Sequence, residues 1–497
     1  MSKEVHSVIP LIVVFIPWIA LLGALFWGRR RPSMAKAVYI GTTAAALGLI
    51  ATMYGPALDG RVVTQHVAGG FSGISFGLRV DTMGFYFALL LAVIWLLAGI
   101  YSLGYIKEHE TRYYCFFSLT LSFCLGVAFS ANMFTLFVFY ELMSLFTYPL
   151  IIHDGTEVAR KAGLKYLVYS ITAGTILLAA MVLQYFYGHT LAFIGHGTLP
   201  LARASTTAML TIFALYMLGF GVKACIMPLH GWVPDAHPAA PSPASAVLSG
   251  VILKVGIFGI VRVAFEVFGA GALERLGVGL PMLIVASVTI VGGSLFAITQ
   301  DDLKRRLAYS SISQVSYIVM GIFLLASAGE IGALLQIAHH AFMKGTLFLC
   351  AGVIIHETGK RNISEMNGIG RRLPVTMAAF TVAALGMIGI PATCGFITKW
   401  ELGLGTVQAN RPYFIAIILV SSLLNAIYFL PIVYAAYFKK GFEEAASEPP
   451  VRKRETRRTM LVPVVIGAAM VVILGVFVTA PGLPYQLVKV IVQGFGF

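Results

Sequence analysis

Long apolar runs recur along the whole chain, separated by short segments in which charged residues, glycine and proline collect. A helix of roughly 20 residues crosses the hydrocarbon core of a bilayer, which is about 30 Å thick. The pattern therefore predicts an all-α polytopic membrane protein with about fourteen transmembrane helices. The predicted spans are 8–28, 34–54, 81–105, 114–130, 132–152, 161–187, 206–228, 243–268, 278–299, 306–326, 330–356, 374–398, 411–437 and 459–480.

Two of the predicted helices are interrupted close to a lysine. The seventh breaks at Pro228, after Lys223, and the twelfth breaks at Pro391, before Lys399. A broken helix frees backbone carbonyls at membrane depth, which is tolerated beside a polar cavity. Because the breaks lie five helices apart, we interpret helices 4–8 and 9–13 as two five-helix repeats, the second inverted by the odd number of spans. The chain then divides into 1–113 (helices 1–3 with an extracellular hairpin), 114–268, 278–437 and 438–497 (a cytoplasmic loop and helix 14).

The charge distribution favours a membrane topology. Apolar residues make up 58% of the chain and charged residues 11%, which is too little charge to cover a soluble surface of this size. Most of the 35 lysine and arginine residues fall in alternate loops, and the positive-inside rule assigns those loops to the cytoplasm. We therefore predict a multi-pass protein of the inner (plasma) membrane, embedded in lipid, with both termini on the outer side. The net charge of +14 is then a topology signal and does not indicate a nucleic-acid partner.

The sequence carries no cofactor motif. Its five cysteines lie inside apolar runs and never at the C-x-x-C spacing of iron–sulfur, c-type haem or zinc sites. It has neither a G-x-x-x-x-G-K-[ST] phosphate loop nor a G-x-G-x-x-G fingerprint after a strand. We expect no cofactor and no catalytic redox site in this chain, so the energy that drives it has to come from a partner.

Ionisable residues inside the predicted helices are the strongest candidates for chemistry. A lysine at the centre of a transmembrane helix costs about 3 kcal/mol on insertion scales, so it seldom persists without a task. The ionisable residues inside the predicted helices are Glu141, Lys223, Lys254 and Lys399. One interpretation is a structural ion pair that locks two helices together. The other is a proton relay, because a desolvated lysine and a nearby carboxylate can exchange charge states.

The predicted eleventh helix carries a polar ladder. Gln336, His340 and Lys344 follow one another at four-residue spacing and so share one helix face. Histidine titrates near neutral pH, so this row can relay protons between the two halves of the chain. A hydrogen bond between helices is the alternative role for His340. His339 points to another face, and we interpret it as structural.

The break in the seventh helix is rich in titratable residues, because His230, Asp235 and His237 closely follow Pro228. Neighbouring prolines prevent the regular helix that would bring the two histidines together on a metal ion, so we expect no metal there. We interpret these residues, together with Pro391 at the second break, as parts of polar cavities or gates. Plain interfacial structure is the alternative.

With these residues identified, the chain resembles the antiporter-like, proton-translocating membrane subunits shared by respiratory complex I, Mrp-type cation/proton antiporters (in particular their D component) and group 4 membrane-bound hydrogenases. The resemblance covers nearly the full length. Its most specific part is Lys223 followed by PLHGWVPDAHPAAPSPASAVLSGVILK, which ends at Lys254. Glu141 in FYELMS, His340 in HAFMKGTLF and Lys399 in GFITKWE match the family's other charged positions.

The resemblance implies a mechanism of two coupled half-channels. Glu141 would tune the charge of Lys223, protons would pass through Lys254 toward His340, and Lys399 would exchange with the opposite side. Coulomb forces between such sites act strongly in a medium of low dielectric constant, so large backbone motion is not required.

The resemblance also implies partners. These are other hydrophobic antiporter-like and small membrane subunits, and in some complexes an iron–sulfur hydrogenase or dehydrogenase arm. Two positions depart from part of the family. Some members carry glutamate in place of Lys399, and some carry a histidine where this chain has Gln336, so the two-histidine relay of those members is not implied for this chain.

Three other functions compete with that of a proton-translocating subunit in a complex I or hydrogenase assembly. The nearest is the D component of an Mrp-type Na⁺/H⁺ antiporter, although a Na⁺ site favours several carboxylates and Glu141 is the clear one at mid-depth. A free-standing solute transporter is a remoter alternative, because the charged groups form a row across helices rather than one cluster. The third alternative is a quinone-binding redox enzyme, but the sequence contains no motif for the ligands of a redox cofactor.

Overall fold

The computed structural model describes residues 4–28, 30–71, 74–193, 195, 197–199, 204–439 and 455–496. Most of the predicted cytoplasmic loop, 440–454, lies outside the described residues. Two segments, Leu248–Ile252 and Val263–Phe268, are π-helical, and Ile363–Glu365 forms a 3₁₀ turn. The helices are α1 Ile9–Phe15, α2 Pro17–Trp27, α3 Pro32–Ala51, α4 Tyr54–Leu58, α5 Thr82–Tyr105, α6 Glu110–Ala128, α7 Met133–Ile151, α8 Glu157–Gly188, α9 Thr206–Lys223, α10 Val233–Ala239, α11 Ser242–Val247, α12 Leu253–Arg262, α13 Ala270–Leu276, α14 Gly279–Ile298, α15 Leu303–Phe323, α16 Ser327–Thr358, α17 Ile369–Arg372, α18 Pro374–Ile388, α19 Cys394–Gln408, α20 Phe414–Phe438, α21 Arg458–Val476 and α22 Pro484–Gly494.

Eleven helical spans of the described part are long and apolar enough to cross a membrane, which confirms the predicted all-α multi-pass architecture. Three other predicted spans fall on elements that are shorter or more polar. The predicted fourth and tenth spans are α6 and α15, and α15 begins with a run of basic residues and continues with serines. The predicted twelfth is divided between α18 and α19. The eleven spans are Ile9–Trp27, Pro32–Ala51, Thr82–Tyr105, Met133–Ile151, Glu157–Gly188, Thr206–Lys223, Ser242–Phe268, Gly279–Ile298, Ser327–Thr358, Phe414–Phe438 and Arg458–Val476.

Two spans form the centre of the bundle. The apolar stretches of Ser242–Phe268 and Ser327–Thr358 are completely buried, whereas the other nine spans are between 33% and 72% buried. Exposed apolar side chains on the outer spans suit contact with lipid or with another subunit. Lys254, His340 and Lys344 lie on the two central spans and are fully buried. The charged residues are therefore held away from lipid.

The chain leaves helical conformation at both places where the sequence predicts a break, at 224–232 and at 389–393. Gly389 ends α18 with a φ of +91°, a left-handed conformation that glycine adopts without a steric penalty. At the other break, Trp232 Nε1 donates to the carbonyl oxygen of Val222 at 2.9 Å. That bond ties the indole of the broken segment to the last turn of α9.

A small sheet lies beside the bundle at the end where α5 begins. Strand β1 (Glu4–His6) runs parallel to β2 (Val62–Phe71), and β2 pairs antiparallel with β3 (Ile74–Val80). Strands β2 and β3 lie where the sequence predicts a hairpin. Strand β3 leads directly into α5, whose N-cap Asp81 accepts a hydrogen bond from the Gly84 amide at 2.8 Å.

Candidate functional site

Lys223 is the last residue of α9 and is completely buried. Its Nζ donates to Tyr166 Oη at 2.5 Å and to Ser170 Oγ at 2.9 Å, both on α8. Nζ also lies 4.0 Å from the centroid of the Tyr166 ring. Hydroxyl oxygens and the face of an aromatic ring stabilise an ammonium without neutralising its charge.

Glu141 on α7 faces the same side of α8. A Cβ added at Gly174 would lie 2.4 Å from Oε1 and 2.7 Å from Oε2 of Glu141, so the carboxylate packs directly on this glycine. Tyr166, Ser170 and Gly174 follow at four-residue spacing and form one face of α8, which we call the α8 stripe. Oε1 of Glu141 has no hydrogen-bond partner among the described residues, although its charge acts on Lys223. Both ionisable residues therefore contact one stripe without touching each other.

Lys254 on α12 and His340 on α16 are in direct contact, with 2.6 Å between Nζ and Nδ1. Lys254 Nζ also donates to the carbonyl oxygen of Ser249 at 2.5 Å. Ser249 lies in the first π-helical segment, where backbone hydrogen bonding departs from the α pattern. Nε2 of His340 is buried without a partner among the described residues. Since each ring nitrogen can bind a proton, His340 can take one at Nδ1 and release one at Nε2.

The polar ladder on α16 contacts two different neighbours. Lys344 Nζ donates to Ser310 Oγ at 2.7 Å, and Gln336 Nε2 donates to Gln314 Oε1 at 2.9 Å. Ser310 and Gln314 are both on α15, whereas His340 faces α12. The four-residue spacing thus places the ladder along one side of α16, but its central member is directed to a different helix.

Lys399 lies half-buried in α19, beside the second break. Its Nζ donates to the carbonyl oxygens of Met387 at 3.1 Å and Ile388 at 2.5 Å, and to Ser422 Oγ at 2.8 Å. Those carbonyls belong to the last turn of α18, where the helix provides no further donors. A cavity of about 710 Å³ with mainly apolar walls opens between α19 and α20 beside this lysine.

His237 lies at the centre of the bundle. It is completely buried, and neither ring nitrogen has a hydrogen-bond partner within the described residues. The rings of Trp232 and Phe348 lie on either side, at centroid distances of 6.1 and 5.5 Å. A buried imidazole without partners is costly, which is unusual for a purely structural residue.

The other residues of the two breaks lie nearer the surface. Asp235 pairs with Lys165 at 2.7 Å and lines a polar cleft of about 650 Å³. Nδ1 of His230 is buried without a partner in the described part of the chain. Pro228 and Pro391 are exposed. The break residues are therefore dispersed and do not converge on a common centre.

The structure joins some of the predicted residues and separates others. It places Lys254 on His340 and brings Glu141 and Lys223 to the α8 stripe, but it gives each remaining lysine its own acceptors. In the described part of the chain, the salt bridges within 4.0 Å that involve lysine are those of surface residues: Lys36, Lys161 and Lys165. Four lysines inside the helix bundle, which we call the intramembrane lysines, bind neutral acceptors instead: the completely buried Lys223, Lys254 and Lys344 and the half-buried Lys399.

The sequence analysis predicted α15 as a membrane span but did not identify its buried polar side chains as acceptors for the lysines. Its segment YSSISQVSY carries several hydroxyl and amide side chains that are completely buried. Ser310 serves Lys344, and Ser311 Oγ lies 2.7 Å from Ser249 Oγ, next to the Lys254 site. The sequence signal that could have identified these acceptors is the cluster of hydroxyl residues within a run that is otherwise apolar enough for a membrane span.

The fold and its buried ionisable side chains define a class, that of polytopic membrane proteins with ionisable groups inside the helix bundle. Residues 130–425 match the family described as NADH:quinone oxidoreductase/Mrp antiporter, TM. Residues 67–117 match the family described as NADH-ubiquinone oxidoreductase (complex I), chain 5 N-terminus. The chain belongs to the family of antiporter-like membrane subunits of complex I and Mrp antiporters, which confirms the resemblance read from its motifs.

Relatives by sequence come from different enzymes. The chain is 33% identical over 485 residues to NADH-quinone oxidoreductase subunit N of Desulforudis audaxviator, covering 94% of this chain and 96% of the relative. It is 32% identical over 356 residues to hydrogenase-4 component B of Escherichia coli, covering 69% of this chain and 52% of the relative.

Relatives by structure have the same fold over almost the whole chain. A chain of an archaeal membrane-bound sulfane sulfur reductase matches with a TM-score of 0.84 and 28% identity, covering 96% of this chain and 77% of that one. A chain of the Mrp complex from Dietzia sp. matches with a TM-score of 0.86 and 22% identity, covering 98% of both. Both solved relatives are described as parts of larger membrane complexes.

Proposed function

We propose that this chain translocates protons across the membrane as an antiporter-like subunit of a multisubunit complex and that its partners supply the energy. Family membership supports the subunit role. The protons move along a row of six residues that lie across the bundle: Glu141, Lys223, Lys254, His340, Lys344 and Lys399.

The observation that carries this proposal is the set of partners around the intramembrane lysines. A structural ion pair needs a carboxylate in contact with the ammonium, because an uncompensated buried charge is strongly destabilising. The intramembrane lysines instead bind hydroxyls, carbonyls or an imidazole. These acceptors tolerate both the charged and the neutral amine, as a proton carrier requires.

We further propose the finer topology that the sequence predicts. Three elements cross the membrane in addition to the eleven apolar spans, namely α6, α15 and the broken pair α18–α19, which gives fourteen crossings. Two inverted repeats, 114–268 and 278–437, then each contribute one broken helix, and both termini lie on the outer side. The basic loops support this orientation through the positive-inside rule.

The proposed partners are other hydrophobic antiporter-like subunits, small membrane subunits and an iron–sulfur hydrogenase or dehydrogenase arm. Mass spectrometry of the intact complex, purified from native membrane in mild detergent, tests this. An iron–sulfur arm beside further hydrophobic subunits identifies a redox-driven proton pump. A lone polypeptide contradicts the subunit role.

A second candidate is a component of an Mrp-type Na⁺/H⁺ antiporter, which the family description also covers. Small membrane partners without a redox arm would favour it, and Na⁺-dependent proton movement would then be expected. Against Na⁺ as cargo, Glu141 is the one carboxylate in the proposed row, whereas hard cations prefer several oxygen ligands.

Substitutions in the complete complex test the relay itself. Glu141→Gln and Lys223→Ala should each abolish proton pumping while the complex assembles normally. Lys161→Ala is the control, because Lys161 is an exposed lysine paired with Glu157 on the surface. Normal pumping by either relay variant would show that these residues do not carry the protons.

A further inference from the structure

A second group of charged side chains lies on the same helix as Lys254, at the end covered by the sheet. Arg262 is 1% exposed and donates from Nη1 and Nη2 to the two carboxylate oxygens of Asp81, at 2.6 and 2.8 Å. Nη1 also lies 2.6 Å from Oε1 of Glu266. We call Asp81, Arg262 and Glu266 the Arg262 cluster. It is an almost buried group that the proposed relay does not use.

The Arg262 cluster contains more acid than a structural clamp needs. Asp81 alone occupies both Nη atoms of Arg262 in a bidentate pair, which is the strong geometry for guanidinium and carboxylate. Glu266 adds a second carboxylate, and its Oε2 is buried without a partner among the described residues. Arg79 approaches Asp81 at 3.8 Å and does not contact Glu266. Glu266 is therefore the member whose proton can come and go while the Arg262–Asp81 pair stays intact.

The backbone at Glu266 is irregular as well. Residues Val263–Phe268 form the second π-helical segment, immediately after α12. Such π-bulges are rare and often mark functional positions in helices. The first π-helical segment lies next to Lys254 at the other end of α12. The ten residues of α12 thus connect the two π-helical segments, with Lys254 two residues after the first segment and Glu266 inside the second.

An aromatic pair separates those two sites. Lys254, Phe258 and Arg262 follow at four-residue spacing on α12, so Lys254 and Arg262 are roughly 12 Å apart along the axis. The guanidinium carbon of Arg262 lies 4.8 Å from the centroid of the Phe258 ring. Phe87 of α5 stacks on Phe258 at a centroid distance of 4.9 Å. The two rings form an apolar layer between the Lys254–His340 pair and the Arg262 cluster.

The far side of the Arg262 cluster leads to the surface. Exposure of the side chains rises from 1% at Arg262 and 8% at Glu266 to 13% at Asp81 and 24% at Arg79. Arg79 is in strand β3, at the end of the small sheet that leads into α5. A proton held at Glu266 therefore has a polar route to the sheet side and an apolar layer behind it.

We propose that Glu266 is the group from which protons leave the first half of the chain on the sheet side, and that the Phe87–Phe258 pair is the seal that prevents their return. This inference rests on the proposed proton translocation. A proton that leaves the Lys254–His340 pair crosses the Phe87–Phe258 layer on water that enters when the two rings part, binds to the Glu266 carboxylate and is then released to water at the sheet-side surface. Glu266 returns to its anionic form, and the Arg262–Asp81 pair keeps its charges throughout.

Proton pumping by the complete complex tests Glu266. Glu266→Gln keeps the side-chain size and an oxygen that can accept from Arg262, but it cannot carry a proton. We expect at least a tenfold loss of pumping with normal assembly, whereas Glu274→Gln, which changes an exposed glutamate of α13, should have no effect. If Glu266→Gln pumps within twofold of the wild type, the release site is wrong.

Passive proton leak tests the seal. In liposomes that contain the resting complex, an imposed membrane potential should drive at least fivefold more proton entry through Phe258→Ala than through the wild type. Phe117→Ala is the matched control, because Phe117 is also completely buried but stacks on Tyr113 of α6, outside the Arg262 cluster. A Phe258→Ala complex as tight as the wild type overturns the seal. This measurement decides the question even if Glu266→Gln fails to assemble.

Lys254→Ala distinguishes a failure of the proposed relay from a failure of the proposed release site at Glu266. If Lys254→Ala pumps normally, the proposed relay fails together with everything built on it. If Lys254→Ala is inactive while Glu266→Gln pumps normally, the relay survives and only the release site is contradicted.

Discussion

Gly174→Ala changes the position of Glu141 without changing any ionisable residue. The new methyl group would lie 2.4 Å from Oε1 of Glu141, where an ordinary contact needs at least 3.4 Å. The carboxylate therefore has to retreat by about 1 Å. Glu141 is then displaced from the α8 stripe, while its charge and the intramembrane lysines are unchanged.

The expected loss follows from the weaker interaction of Glu141 with Lys223. At an effective dielectric constant of about 20, unit charges interact by roughly 3.3 kcal/mol at about 5 Å and by roughly 2.8 kcal/mol at about 6 Å. A loss of about 0.5 kcal/mol changes an equilibrium roughly twofold. We expect Gly174→Ala to slow proton pumping about twofold, with further loss where the carboxylate turns away, in contrast to the complete loss expected for Glu141→Gln.

The assay is formation of a proton gradient by inverted membrane vesicles that contain the complete complex, with the amount of assembled complex as the reference. Gly48→Ala is the matched control, because it is the same change in a helix where the new methyl group meets nothing within 4 Å. Glu141→Asp combined with Gly174→Ala should recover part of the activity, since the shorter acid makes room for the methyl group. Wild-type pumping by Gly174→Ala would refute the idea that the α8 stripe positions Glu141.

Three further predictions follow from single contacts. Ser170→Ala removes one of the two hydroxyl acceptors of Lys223, and a hydrogen bond to a charged group is worth about 1.5 to 3 kcal/mol, so pumping should fall at least tenfold without loss of the assembled complex. Gly389→Ala forces a side chain into a φ of +91° and against Lys399, so the thermal midpoint of the purified complex should fall, by an amount that corresponds to roughly 1 to 2 kcal/mol. Burial alone would raise the pKa of Asp81, but the charges of the two neighbouring arginines outweigh it and hold that pKa below its usual range. Its stabilising contribution is therefore present above the ordinary carboxylate pKa of about 3.9 and is lost as the pH falls below it, so the stability difference between the wild type and Asp81→Asn should shrink on acidification.

The sequence predicted the membrane architecture well because apolar runs of membrane length are unambiguous. It also predicted which helices are broken, since proline and glycine beside a lysine leave few alternatives. It could not predict the α8 stripe. Tyr166, Ser170 and Gly174 are ordinary residues in an apolar helix, and their role appears only when two neighbouring helices present Lys223 and Glu141 to the same face.

The number of helices and the partner of His340 were also hard to predict, because both depend on contacts between helices. Helix α15 is polar because it supplies acceptors to α16, so its hydropathy is lowered by the function that makes it part of the core. Four-residue spacing placed His340 in a ladder with Lys344, but the spacing describes one helix and is silent about its neighbours. The contact with Lys254 depends on how α12 is packed, which no local pattern specifies.

The acceptors around the intramembrane lysines have a common physical property. Lys399 binds carbonyls that a broken helix leaves free, Lys254 binds a carbonyl in a π-helical segment, and Lys344 binds a serine of the neighbouring helix. A carbonyl or hydroxyl oxygen accepts from a neutral amine as well as from an ammonium, whereas a carboxylate in contact would favour the ammonium by several kcal/mol, about 4 at 4 Å and an effective dielectric constant of 20. Distorted helices therefore do more than interrupt the bundle. They supply neutral acceptors at membrane depth, so that each lysine can lose and regain a proton while its position is kept.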